Sequence, residues 1–230
     1  MLTIFNFTAI SKWIPYISKG IGFTLLIALL ASIFGVIIGI ILTLMSRHKV
    51  LKKFSYFYID IFRGTPVILQ LSMIYFAFPM LINSILKDSF HLDVTFMLSA
   101  FVAAVITFSL NSGAYISEII RSGINSVDKG EIEAARALGI SNFHIYKDII
   151  LPIAFKNSFP AMMNEFITLV KESSIVSVIG LQDLMRRSQI VSSQTYMYFE
   201  PLIIVGIIYY VVVKVLTIVS RKVESRLQYD

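Results

Sequence analysis

Residues 20–46 read GIGFTLLIALLASIFGVIIGIILTLMS, twenty-seven positions without a charged side chain. A helix needs roughly 20 residues to cross about 30 Å of hydrocarbon, and lipid requires every backbone group to find its partner within the segment. The run therefore reads as a membrane-spanning helix. The pattern recurs outward along the chain, since residues 64–86 and 94–117 are also free of charge. Two later runs are less clean: residues 157–180 hold Glu165, Lys171 and Glu172, and residues 201–220 hold Lys214, which can snorkel to the nearer interface. The expected fold is an all-α integral membrane protein of five transmembrane helices, one domain over residues 1–230.

Composition agrees. Apolar residues make up 57% of the chain and charged ones 15%, with a mean hydropathy of +0.79, against about 45–50% and about 25% in soluble domains. The net charge of +6 sits in short basic segments beside apolar runs, where membrane orientation accounts for it, so nucleic acid is not expected as a partner. With no cysteine and only His48, His91 and His144 scattered along the chain, no disulfide and no metal site is expected. The N-terminus lacks the layout of a cleaved signal peptide, because its first apolar run is too long.

Lysine and arginine placement sets the orientation. With five spans and the N-terminus outside, thirteen basic residues fall on the inner side: Arg47, Lys49, Lys52, Lys53, Arg63, Arg121, Lys129, Arg136, Lys147, Lys156, Arg221, Lys222 and Arg226. Five fall outside, namely Lys12, Lys19, Lys87, Arg186 and Arg187. The positive-inside rule then places the C-terminus and the polar loop at about 118–156 in the cytoplasm.

That loop is polar yet rich in helix formers. Asp128 with Glu131 makes a capping signal, a short helix over about 131–138 follows, and Gly139 suits the left-handed position that ends it. Ser141 can cap a second short helix ending near Ile149. From the residues alone this is a surface helix resting on the membrane or a contact for a soluble partner. No G-x-x-x-x-G-K-[ST] loop occurs, so no phosphate cradle for ATP is visible in this chain.

The stretch Glu133-Ala134-Ala135-Arg136-Ala137-Leu138-Gly139, followed nine residues later by Ile149-Ile150-Leu151-Pro152, resembles the loop that marks permease subunits of binding-protein-dependent ABC importers. Further matches resemble the polar amino acid group of that family: Phe62-Arg63-Gly64-Thr65-Pro66 with Gln70; Asn111, Ala114-Tyr115, Glu118 and Arg121; Gly130; Asn164-Glu165-Phe166-Ile167; Lys171-Glu172-Ser173-Ser174; and Ile179-Gly180. Glu131-Ile132 and Glu172 depart mildly from the usual pattern, which has Gln-aromatic and Asp there.

The resemblance implies a type I importer permease fold in a bacterial inner membrane, with the loop as a cytoplasmic coupling helix. It assigns ATPase coupling to Glu133, Ala134, Ala135, Gly139, Ile149, Leu151 and Pro152, with Leu151-Pro152 redirecting the chain toward the membrane. It further implies partner ATPase subunits that use ATP and Mg, a second permease subunit, identical or a sister, and an extracytoplasmic binding protein. The chain itself would carry no cofactor and no catalytic residue. Its substrate would be a polar amino acid, with cystine, glutamine, glutamate and the basic amino acids all open.

Ionisable and polar groups within spans are pathway candidates by default, here Thr65, Asn111, Asn164, Glu165, Lys171, Glu172 and Ser173. Lys171 and Glu172 can equally serve a dimer seam or the end of a broken helix. For Arg63 the residue-level reading is packing on headgroups or capping a loop. Gly22, Gly35 and Gly39 suit close helix packing, and Tyr209 and Tyr210 suit core or lipid. The rival reading is an ion-coupled secondary amino acid transporter using Glu165, Lys171 and Glu172.

Overall fold

The computed structural model describes residues 7–91 and 94–229. Residues 1–6, on which the reading of the N-terminus partly rests, lie outside the described residues. The order is α1 (Phe7–Ser11), α2 (Ile14–Ser18), α3 (Gly20–Arg47), α4 (Leu51–Gly64), α5 (Val67–Ser72), α6 (Phe78–Phe90), α7 (Ala100–Asn125), α8 (Lys129–Ala137), α9 (Asn142–His144), α10 (Leu151–Glu172), α11 (Leu184–Thr195) and α12 (Phe199–Tyr229). Among the described residues there is no strand. Four helical stretches are long and apolar enough to cross a membrane: Ile14–Arg47, Val67–Phe90, Ala100–Asn125 and Phe199–Leu227. The helix α10 is 22 residues long, about 33 Å, but carries Lys156, Glu165, Lys171 and Glu172.

Helix α7 is the centre and α3 packs along it. In lipid, helix association draws on close packing rather than on the hydrophobic effect, so small residues at the seam matter. Along α3 the buried positions are Thr24, Ile27, Ala28, Ala31, Gly35, Gly39, Leu42 and Thr43. A Cβ on Gly39 would meet Ile116 Cγ2 at 2.6 Å, and one on Gly35 would meet Ser112 Oγ at 2.9 Å. Gly22 differs from the expectation, because nothing lies within 4 Å of its absent side chain. The glycine that permits close approach at that end is Gly20, whose Cβ would strike the backbone of Asp183 and Leu184.

Separate cores result. Ile27, Ala28 and Ala31 of α3, Leu71 of α5, Ala104 and Phe108 of α7 and Leu169 and Val170 of α10 form the largest. Ile10, Ile17, Leu184, Val191 and Val205 form another, tying α1 and α2 to α11 and α12. Helix α12 otherwise leaves most of its apolar surface exposed, as a lipid-facing helix does.

Helix bounds shift from the charge-free runs wherever proline or capping intervenes. The second run is broken at Thr65-Pro66, where Thr65 is extended at φ −120° and ψ 145° as a residue before proline must be. The third begins as a helix only at Ala100, capped by Ser99 Oγ accepting from Val102 N–H, and continues to Asn125. The fourth begins at Leu151 and ends at Glu172, after which Ser173–Ile179 is a 3₁₀ turn closed by Gly180 at φ +80°.

Two π-helical turns, Met73–Ala77 and Ile145–Ile150, share one cause. Phe78 N–H donates to Met73 C=O and Leu151 N–H to Tyr146 C=O, each five residues back, and proline follows at once as Pro79 and Pro152. Proline supplies no N–H and its ring crowds the carbonyl four residues earlier; widening the preceding turn relieves that crowding without a break. The second short helix therefore does not end near Ile149, because α9, the π turn and α10 form one continuous helical path.

Candidate functional site

The polar loop is built by its caps. Asp128 Oδ1 accepts from Gly130 N–H and starts α8, although Glu131 does not return the reciprocal bond of a capping box. At the far end Gly139 N–H donates to Arg136 C=O at 3.0 Å and Ile140 N–H to Ala135 C=O at 3.1 Å. This paired 5→2 and 6→1 closure is a Schellman motif, and it requires the left-handed residue that Gly139 provides at φ +76°. Ser141 Oγ then accepts from His144 N–H and opens α9. At the base, Asn157 Nδ2 donates to Ser126 Oγ at 2.8 Å, and the Arg47 guanidinium lies 4.9 Å from the Tyr146 ring centroid.

Of the residues assigned to coupling, Glu133, Ala134 and Gly139 are exposed, while Ala135 is buried against the body of the loop. Leu138, inside the motif stretch, is 81% exposed, and Phe143, which the motif does not include, is 68% exposed. Ile149 is half-buried; Leu151 lines an apolar hollow of about 230 Å³ with Ile120, Ile124 and Phe155. Pro152 is the second residue of α10, directly after the π turn that makes room for its ring.

The membrane-level candidates divide into two groups. Asn111 Nδ2 donates to Phe62 C=O and to Gln70 Oε1, both at 3.0 Å. Gln70 Nε2 reaches Phe62 C=O at 2.9 Å, Thr65 C=O at 3.1 Å and Thr65 Oγ1 at 2.9 Å. Thr65, Gln70 and Asn111 thus form a lock on the carbonyls that α4 leaves open where Pro66 ends it. The second group is a stripe on α10. Asn157, Asn164 and Lys171 recur every seven residues, which returns to nearly the same helix face, and all three are exposed. Glu165 and Glu172 flank the stripe half-buried, while Ser173 is buried and donates to Val170 C=O at the helix end. The ion pairs among the described residues include none of Glu165, Lys171 and Glu172. No group of three His, Asp or Glu among the described residues could hold a metal ion.

Sequence reasoning missed a charged cluster where the stripe meets the loop end of α7. Glu118 Oε2 receives Arg63 Nη1 at 3.5 Å and also Arg121 Nη2, and Arg121 Nη1 donates to Tyr56 Oη at 3.0 Å. These residues line a cleft of about 650 Å³, which adjoins one of about 390 Å³ that reaches Asn157 and Ala161 of α10. The signal was available, because Asn111, Tyr115, Glu118 and Ser122 follow helical spacing on one face of α7. On the opposite end, Asp183 is fully buried, and its carboxyl caps α11 by accepting from Met185 N–H at 3.2 Å and Arg186 N–H at 2.8 Å.

Known proteins match over nearly this whole arrangement. The arginine transport system permease protein ArtQ of Bacillus subtilis is 47% identical over 97% of this chain and 97% of its own length. A Rickettsia bellii protein that carries the name of a glutamine transport system permease, GlnP, is 48% identical over 94% of this chain and 95% of its own. The crystal structure of an amino acid ABC transporter with histidines aligns with a TM-score of 0.86 and 38% identity, over 97% of this chain and 100% of that one. An inward-facing structure of the MetNI methionine ABC transporter shares the fold, with a TM-score of 0.72 and 21% identity over 94% and 96%. Residues 35–229 match the family described as binding-protein-dependent transport system inner membrane component. The capped loop, the helical body and these matches agree, and the chain belongs to that family of transport permeases.

Proposed function

We propose that this chain is the transmembrane subunit of an ATP-driven importer that moves a polar amino acid across the bacterial inner membrane, glutamine and arginine being the first substrates to test. The observation that carries the reading is α8. It is a helix of nine residues, capped at both ends and displayed outside the apolar body, and its base is hydrogen-bonded to the polar stripe of α10 through Asn157 and Ser126. Such an element serves a partner, and with no phosphate cradle in this chain the partner is an ATPase subunit that binds ATP and Mg. The exposed Ala134, Ala137, Leu138 and Gly139, with Phe143 beside them, form the docking face.

Five spans make one domain, with α10 as the fourth. Its exposed Asn157, Asn164 and Lys171 cannot face lipid cheaply, so they line the pathway at a seam with a second permease subunit. The loop end is cytoplasmic and the N-terminus external, on the lysine and arginine distribution. A binding protein delivers the amino acid from outside, and ATP-driven closure of the ATPases draws the two loops together and switches access between the two sides. No bond chemistry falls to this chain.

The test is uptake into proteoliposomes holding this chain with its ATPase and binding protein. Labelled glutamine and arginine enter when ATP is supplied and continue to enter when a protonophore and a sodium ionophore collapse the proton and sodium gradients. Uptake that follows the ion gradient and ignores ATP replaces this reading with the ion-coupled one.

A further inference from the structure

The cleft at the loop end of the stripe has unspent charge. Arg63 sits in the last turn of α4 with its guanidinium 5.3 Å from the Tyr115 ring centroid, so the plane is steadied by a cation–π contact. Among the described residues its one ion pair is through Nη1, at 3.5 Å, to an oxygen of Glu118 that Arg121 already occupies. Arg121 is further held by Tyr56 Oη. A guanidinium offers five donors in a planar fork suited to a carboxylate, and that of Arg63 remains largely unused, with the side chain 43% exposed. One turn earlier on the same face of α4 is Asp60. It also lines the cleft, and its carboxylate makes no hydrogen bond or ion pair among the described residues. Arg63 and Asp60 are three residues apart, close enough to face one another on a helix, yet they do not pair within 4.0 Å. An open positive fork and an open carboxylate thus share one cavity of about 650 Å³, within the about 300–1,000 Å³ usual for small-molecule sites.

We propose that this cleft is an exit site for the substrate's zwitterionic α-carbon group, Arg63 receiving the α-carboxylate and Asp60 with Glu118 receiving the α-ammonium. The inference rests on the amino acid import reading above. The site contacts what all α-amino acids share and leaves the side chain toward the open mouth, so it serves passage rather than selection. Its connection to the α10 stripe is direct, because the adjoining cavity shares Arg63, Tyr115 and Glu118 with it. A passing carboxylate would replace Glu118 on Arg63, exchanging one ion pair for another so that neither charge is stranded.

The experiment uses the complex of this chain with its ATPase in lipid nanodiscs, without nucleotide, and measures equilibrium binding of labelled glutamine and arginine. Competitors are the methyl esters, which lack the carboxylate charge, and the N-acetyl derivatives, which lack the ammonium charge. Wild type favours the free amino acid over its ester at least tenfold. Arg63→Gln abolishes that preference, Arg63→Lys keeps part of it, and Asp60→Asn weakens discrimination against the N-acetyl form. Asp60 has no protein partner to lose, so its variant carries the test if Arg63→Gln does not assemble. An unchanged preference in assembled Arg63→Gln overturns the exit site. So does an unchanged N-acetyl discrimination in Asp60→Asn, or a cleft that responds only to phospholipid headgroups. ATP-driven uptake by wild type in proteoliposomes that also hold its binding protein separates the two failures: uptake with unaltered binding in the variants sinks the exit site alone, whereas no uptake of any amino acid sinks the import reading as well.

Discussion

Asn111 shows at the scale of one side chain how much structural work a polar residue in a span can do. Its depth in an apolar run suggested a pathway group, yet both of its amide protons are used on Phe62 C=O and Gln70 Oε1. Sequence placed Thr65, Gln70 and Asn111 in spans, but nothing local revealed that a proline break would bring them together across 41 to 46 positions. Asn111→Ala leaves Gln70 Oε1 buried without a donor, while Phe62 C=O keeps Gln70 Nε2. A loss of about 1–3 kcal/mol is expected, visible as a lower melting midpoint of the purified protein with substrate binding otherwise intact. Asp183 gives a pH signature. Burial pushes its carboxyl from 3.8 up to about 6 despite the two backbone N–H groups and Tyr209 Oη that favour the charged form. Between about pH 4 and 6 the folded state therefore holds a proton that the unfolded chain has released, and this group's contribution to stability falls as pH rises through that window. The full change is about 3 kcal/mol at about 1.4 kcal/mol per unit. Asp183→Asn, which keeps a good N-cap, should flatten this component, so the difference in melting midpoint between variant and wild type should shift between pH 4.5 and 6.5. An unchanged difference across that range contradicts the assignment.

Helix α8 was the most legible element, because capping chemistry is local. Asp128, Gly139 and Ser141 each act within a few residues of themselves, and each cap forms where the residue types called for it. What lay beyond local reading was the continuity from α9 into α10. A Leu-Pro pair reads as a stop, and only the π turn over Ile145–Ile150 lets the helix run on. The account makes Pro152 the cause of that turn. Pro152→Ala restores a donor and removes the ring, so the turn should tighten to α-helical bonding and rotate the loop end about 100° against α10. The chain has no native cysteine, so spin labels placed at Phe143 and Phe159 report this directly. A changed inter-label distance in Pro152→Ala is the expected outcome; an identical distance would show that the turn has another origin.

For the whole molecule, the single chain exposes groups that its presumed solvent does not accept. Asn164 and Lys171 are exposed on α10 beside half-buried Glu165 and Glu172, a face suited to water or a second subunit rather than lipid. Three of the expected spans could be read from charge-free runs and a fourth from a run broken by Lys214 alone, whereas α10 could be placed only from its position between its neighbours, because the charges it carries dilute its apolar character. The cleft at Arg63 and Glu118 was not read as a site, since it joins α4 to α7 across 55 positions. Asn164→Cys should cross-link to a permease partner in native membranes, whereas Val211→Cys, on the exposed face of α12, should not. Equal cross-linking of both would remove the argument for a seam along α10.

On the proposed function, α8 passes the work of an ATPase to the pathway. Gly139 is the place to break that link, because its φ of +76° strains any L side chain while nothing lies within 4 Å to clash, so Gly139→Asp distorts the loop end and spares the body. The measurement is amino acid uptake and ATP hydrolysis, taken together from the same proteoliposomes holding this chain, its ATPase and its binding protein. The expected result is that Gly139→Asp assembles, keeps basal hydrolysis, loses its stimulation by loaded binding protein and imports at least tenfold less per ATP. Import per ATP equal to wild type in an assembled Gly139→Asp complex would contradict it.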